Sequence, residues 1–297
     1  MTGAAAIFAT GFFDNSAVHT ALIVGGIVAV VSAIVGTFTV MRGQSFAGHS
    51  LSDIGTAGGS AAFLVSVPSL YGFVAFNLAA AAIMDLIGVR RPRGRDLATG
   101  IVLGASLGLA ALFLYEDTTT SSTTGATVDV LFGSIFSFES SLIPVVVALG
   151  VVAVGLVVVL YRPLLLSSVS TDLAAARGVP VRRVAVGYLL ALAVGVSLSS
   201  ITIGAILSTA LLIGPPATAL RLAKRPGVAM ALAGVIGVAT VWLGILLAYD
   251  SASWTSNGEG WPVSFFIVAV VFVVYVLAQL LGRLRPEHRA GSIHSGA

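Results

Sequence analysis

Long apolar runs alternate with short polar stretches along almost the whole chain. A helix crosses the hydrocarbon core of a bilayer with about 20 apolar residues. Six runs approach or meet that length: Ala17–Val40, Gly72–Val89, Leu97–Leu114, Leu142–Tyr161, Val228–Tyr249 and Val263–Leu281. A seventh, from Ala47 to Val67, is long enough but more polar. A longer apolar stretch, Val184 to Leu220, has a soft centre at Ser197-Leu198-Ser199-Ser200. The pattern predicts an all-α, polytopic membrane protein.

The positions of the charges turn this pattern into a topology. The 15 Lys and Arg fall in five clusters: Arg42; Arg90, Arg91, Arg93 and Arg95; Arg162, Arg177, Arg182 and Arg183; Arg221, Lys224 and Arg225; Arg283, Arg285 and Arg289. Residues 115–141 carry Glu116, Asp117, Asp129 and Glu139 with no Lys or Arg, and residues 250–262 carry only Asp250 and Glu259. Cytoplasmic loops hold the excess of basic residues, so the five clusters are expected inside. Basic clusters lie at both ends of 184–220, so this stretch is expected to cross twice, turning near Ser197–Ser200. The count becomes nine spans, or eight if one segment is re-entrant, with the N-terminus outside and the C-terminus inside. Residues 1–16 then form a short extracytoplasmic N-terminus and 17–282 the membrane domain. Residues 283–297 form a disordered cytoplasmic tail, although His288 and His294 leave metal sampling as a second reading. The apolar segment Val130–Phe138 is too short to span and is expected to dip into the outer leaflet.

Composition narrows the function. Hydrophobic residues make up 57% of the 297 and charged residues 9%, against about a quarter charged in soluble domains. There is no Cys, which excludes disulfides, zinc-thiolate sites and iron–sulfur clusters. The net charge of +3 arises from residues between apolar runs, so it reports topology, and no nucleic-acid partner is expected. Residues 1–16 lack Lys and Arg, so the first run reads as a retained span and not as a signal peptide.

Ionisable residues inside spans mark chemistry, because they are costly there unless they face water, a partner or an ion. Asp85 and His19 lie near span ends and can reach an interface. The second span differs. In Phe46-Ala-Gly-His-Ser-Leu-Ser-Asp-Ile-Gly-Thr-Ala-Gly-Gly59, His49 and Asp53 are four residues apart and share one helix face. Ser45 and Ser52 add oxygen. Imidazole with carboxylate suits a borderline divalent metal such as Zn²⁺ or Mn²⁺. The other reading is a His–Asp hydrogen bond that staples two helices. Gly55 and Gly59, and Gly100, Gly104 and Gly108, recur at four-residue spacing, which suits close helix packing, with pore lining as the alternative.

On the basic side, Ser170-Thr-Asp-Leu-Ala-Ala-Ala-Arg-Gly-Val-Pro-Val-Arg-Arg183 predicts a short helix. Asp172 favours its start, and Gly178 with Pro180 favours its end. Such a helix fits a groove on a cytoplasmic partner, or is an ordinary connector. The single lysine, Lys224, lacks the Gly-rich context of a Walker A loop. No His-Glu-x-x-His occurs, which argues against a metalloprotease of that type.

Four segments, in order, resemble motifs of the ABC-3 family, the permeases of zinc, manganese and iron ABC importers. They are the second span, Val130-Leu-Phe-Gly-Ser-Ile135, Ser170–Arg183 and Ile213-Gly-Pro-Pro-Ala-Thr-Ala219. The resemblance runs from about residue 20 to 282. In the second span Gly48, Leu51, Ser52 and Gly58 keep the family frame. The ligand types are exchanged: His49 stands where the family usually has Asp, and Asp53 where it usually has His. Thr56-Ala57-Gly58 lacks the usual Pro. In the coupling segment, about 168–180, Asp172, Ala174 and Gly178 match the family positions.

The resemblance implies an ABC importer permease fold in a bacterial inner membrane. It implies a divalent transition metal (Mn, Zn or Fe) as transported substrate, with no permanently bound cofactor. ATP would be hydrolysed on a separate cytoplasmic ATPase dimer, and the chain itself would not be an enzyme. A second permease chain, as a homodimer, and an extracytoplasmic metal-binding protein complete the expected assembly. A stand-alone secondary metal transporter and a membrane-embedded enzyme are the alternatives. The first calls for more intramembrane acids and often a repeated architecture, and the second for a nucleophile or fuller metal site.

Overall fold

The computed structural model describes residues 12–87, 92–120, 124–133, 135–254 and 260–284. Among these the chain is helical: α1 (Ser16–Met41), α2 (Ser45–Leu64), α3 (Ser69–Ile87), α4 (Pro92–Thr120), α5 (Thr124–Phe132), α6 (Ile143–Val159), α7 (Tyr161–Val169), α8 (Thr171–Ala176), α9 (Val181–Ile203), α10 (Ser208–Leu222), α11 (Pro226–Ser251) and α12 (Val263–Leu284). Arg90, Arg91, Glu259, Arg285, Arg289 and the tail histidines lie outside the described residues, as do residues 1–11 of the N-terminal segment.

Seven helices among the described residues are long and apolar enough to cross a membrane: α1, α3, α4, α6, α9, α11 and α12. The other two expected spans depart from that pattern. At 20 residues, α2 rises about 30 Å, but its polar face keeps its hydropathy low. At 15 residues, α10 rises only about 22 Å. The Val184–Leu220 stretch does form two helices, but the turn is not at Ser197–Ser200. α9 runs through those serines, because Ser197 and Ser199 donate to the carbonyls of Ala193 and Gly195 four residues back, at 2.8 and 3.0 Å. The break comes at Gly204, whose φ of 85° and ψ of 157° are essentially open only to glycine.

Burial separates inner from outer helices. Of the spanning windows, 67% of α1 and 72% of α9 are buried, against 22% of α4 and of α6. α6 is almost purely aliphatic because lipid can cover whatever the protein leaves bare. The inner helices approach through small residues. On α2 and α3, a Cβ on Gly58 would overlap the carbonyl of Gly72, and the reverse. Gly55 and Gly59 lie beneath the Phe73 ring of α3. A Cβ on Gly100, Gly104 or Gly108 of α4 would meet nothing within 4 Å among the described residues. Pro215 and Pro216 sit inside α10. Pro216 has no N–H for the Leu212 carbonyl, and that carbonyl lies against Gly36 of α1.

Three of the basic clusters make side-chain contacts between helices. Arg42, after α1, donates to Ser167 of α7 at 2.7 Å. Arg182 of α9 pairs with Asp85 of α3 at 3.1 Å. Arg221 of α10 donates to the Tyr275 hydroxyl of α12 at 3.4 Å.

Candidate functional site

Near the α9–α10 turn, the backbone is knotted together by two glycines. The α5 end and the α9–α10 turn run so close that Ala205 N–H donates to Val130 O at 3.1 Å, and Ile206 N–H to Leu131 O at 3.4 Å. A Cβ on Gly133 would lie 2.6 Å from Gly204 N, and one on Gly204 would overlap Leu131 and Phe132 backbone atoms. Residues 130–133 are therefore a helix end clamped onto another turn, and Ile135–Ser137 form a 3-10 turn. Burial holds the carboxyl of Asp129, in this α5 segment, above the usual carboxylate range.

This clamp sets where α10 starts, and so places Thr209 beside α2. His49 and Asp53 share one face, with Nε2 and Oδ2 3.5 Å apart. That is long for a hydrogen bond. The imidazole is held from its other nitrogen, with Nδ1 3.2 Å from Thr209 Oγ1. The staple between helices thus runs from His49 to Thr209, not from His49 to Asp53. Half of the His49 side chain (50%) and 21% of that of Asp53 are exposed. Below them Phe46 is also exposed; above them Thr56, Ala57 and Ser60 are buried. The pair therefore sits at the end of an open strip on a helix that is otherwise packed.

Several buried hydroxyls of these helices are bonded across helix boundaries. Ser52 does not join the His49–Asp53 face; it bonds to Ser200, Ser208 and the Ala205 carbonyl. Ser199 bonds to Ser32 of α1 at 2.7 Å, and Ser197 accepts from Asn77 of α3 at 2.9 Å. The serines that resembled a turn in the sequence are the hub where α9 joins α1, α2 and α3. Sequence reasoning missed Thr209 and Asn77. A lone hydroxyl or amide in an apolar run gives no signal of its partner.

Chemically, one chain offers a nitrogen and a carboxylate. Among the described residues no three His, Cys, Asp or Glu come together to hold a metal ion. Zinc usually takes four protein ligands in a closed site.

At the basic end, α8 is built to be short. Ser170 caps its start by accepting from Leu173 N–H at 3.2 Å, with Asp172 in the first turn. Gly178, at φ 78°, ends it: Gly178 N–H donates to Ala175 O at 2.9 Å and Val179 N–H to Ala174 O at 3.0 Å. That is a Schellman closure, in which glycine takes the left-handed position. Ala174 is fully buried, whereas Asp172 and Leu173 are exposed.

The family model described as the ABC 3 transport family matches residues 14–280. The chain belongs to the ABC 3 transport family. The manganese transport system membrane protein MntC of Listeria monocytogenes is 28% identical over 284 residues, covering 95% of this chain and 98% of that protein. The high-affinity zinc uptake system membrane protein ZnuB of Haemophilus influenzae is 25% identical over 238 residues, covering 78% of this chain and 89% of that one. The structure of PsaBC from Streptococcus pneumoniae in complex with Fab superposes with a TM-score of 0.73 at 26% identity, over 90% of this chain and 92% of that chain. The helical bundle is thus the permease fold of this family, in a multi-pass membrane protein.

Proposed function

We propose that the chain is the membrane-spanning subunit of an ATP-driven importer of a divalent transition metal. The observation that carries this reading is the open His49–Asp53 pair on α2, in a chain whose family relatives are named for manganese and zinc transport. Two copies facing each other across the exposed strip would supply two imidazoles and two carboxylates. That set suits Mn²⁺ or Zn²⁺ and would hold a partly dehydrated ion briefly during passage. The exchanged order of the two ligands leaves their chemistry intact.

The basic end faces the cytoplasm in this reading, with the N-terminus outside, in a bacterial inner membrane. A separate ATPase dimer engages Asp172 and Leu173 on α8. The double capping of α8 supports this role, since a rigid helix transmits movement better than a loose loop. An extracytoplasmic binding protein delivers the ion at the other end.

The test is ATP-dependent ⁵⁴Mn²⁺ and ⁶⁵Zn²⁺ uptake by vesicles carrying the whole assembly. His49→Ala and Asp53→Ala should insert normally, keep ATPase activity and lose uptake. Gly178→Trp should lose uptake with its His49–Asp53 pair unaltered. Normal uptake by both α2 variants would sink the metal site, and normal uptake by Gly178→Trp would sink the coupling role.

A further inference from the structure

Between the start of α7 and the start of α9 lies a cavity of about 450 Å³, within the range of small-ligand pockets, about 300–1,000 Å³. Leu160, Leu166 and Val184 form much of its wall, and Arg162, Arg177 and Arg183 line it. The three residues come from separate points of the chain and border the same space. Among the described residues no ion pair engages any of them. Arg182 shows the contrast: it points to Asp85 of α3, while its neighbour Arg183 lines the cavity. The positive-inside rule explains why arginines occur in this connection. It does not explain why three of them surround one apolar recess.

The depth of the recess identifies its chemistry. Leu160 directly follows the aliphatic α6, and it packs on α9 so closely that a Cβ on Gly187 would lie 2.7 Å from Leu160 Cδ1. The cavity therefore lies where a spanning helix gives way to a basic connection, at the edge of the hydrocarbon. Apolar walls and a cationic lining at that level match an amphiphile with an anionic head. Asp172 and Leu173 of α8 do not line this cavity, whereas Gly178, at the end of the coupling segment, does, so the cavity adjoins the partner-facing surface.

We propose that this cavity binds the headgroup of an anionic phospholipid, with the phosphate on Arg162, Arg177 and Arg183 and the first acyl carbons against Leu160, Leu166 and Val184. The proposal does not depend on which ion is carried. Gly178 also borders the cavity, so a bound lipid would brace the end of α8 against the bilayer.

Native mass spectrometry of the purified full chain, titrated with phosphatidylglycerol or phosphatidylcholine of equal acyl length, tests this. Phosphatidylglycerol should be retained and phosphatidylcholine not. The triple variant Arg162→Gln/Arg177→Gln/Arg183→Gln should lose retention by about fivefold for each charge removed. The control variant Arg221→Gln/Lys224→Gln/Arg225→Gln removes the same charge at the same end and should keep it. Equal loss in the control would reduce the effect to non-specific attraction and overturn the proposal. So would displacement by soluble glycerol phosphate at equal concentration, which would assign the site to a free anion. Unchanged lipid retention with loss of a co-purifying ATPase would assign the cavity to that partner instead.

Discussion

Two polar clusters lie within the membrane bundle, and their contrast is instructive. The Ser197–Ser200 hub is buried, and its three hydroxyls are bonded to neighbouring helices. The His49–Asp53 pair, a short distance away on α2, is partly exposed, and its members are too far apart for a good hydrogen bond. Polar groups in hydrocarbon must find partners. The hub finds them within the chain and so becomes part of the framework. The pair leaves one imidazole nitrogen and a carboxylate facing outward, which is wasteful for structure and suited to a passing cation. Within a membrane protein, then, the mere presence of polar side chains says little, and the state of their partners says much.

The comparison is open to attack at several levels. The most disruptive change is Gly204→Ala, which removes the clamp that places Thr209. A side chain there meets a glycine-only backbone conformation and the α5 end together. Stability should fall by about 3 kcal/mol, read as a lower thermal midpoint in detergent, and uptake should fall with it. An unchanged midpoint would show that the turn can relax.

Exchanging the ligands is next. His49→Asp alone and Asp53→His alone should each cut uptake by about 10- to 100-fold, while the double exchange should restore it to within about threefold of the parent. If the double variant is as inactive as the singles, position matters more than chemistry, and the pair is not a symmetric ligand set.

Thr209→Val keeps shape but frees Nδ1 of His49. Removal of such an orienting partner should weaken ion binding by about tenfold, as measured by equilibrium binding of ⁶⁵Zn²⁺ to the assembled transporter. No change would mean that packing alone aims the ring. The smallest effect belongs to the hub: Ser199→Ala should cost about 0.6 kcal/mol of stability, the mean for hydrogen bonds between membrane helices. Uptake should stay near the parent level, and its collapse would erase the distinction between the clusters.

Much of this was legible in the sequence because the bilayer imposes a blunt constraint. Each strongly apolar run corresponds to a helix, and the boundaries of α1, α6, α11 and α12 lie within a few residues of the expected ones. The His49–Asp53 pairing was legible because four-residue spacing on a helix needs no tertiary information. Ser197–Ser200 misled because hydroxyls read as a break, whereas in hydrocarbon they bond back to their own helix and to neighbours. The glycines of α4 mark a different limit: regular spacing shows that a close approach is permitted but does not name the partner.

By itself the sequence determined the element type, the segregation of charge and the helix face that His49 and Asp53 share. These follow from local periodicity and from the cost of charge in lipid. Only the tertiary structure decided where α9 ends, which serines are satisfied, which threonine holds His49 and which arginines surround a cavity. Those depend on backbones meeting across long separations in the chain: Gly133 on Gly204, Gly58 on Gly72. A glycine in the sequence permits such a meeting without naming the other party, and the packed bundle supplies it.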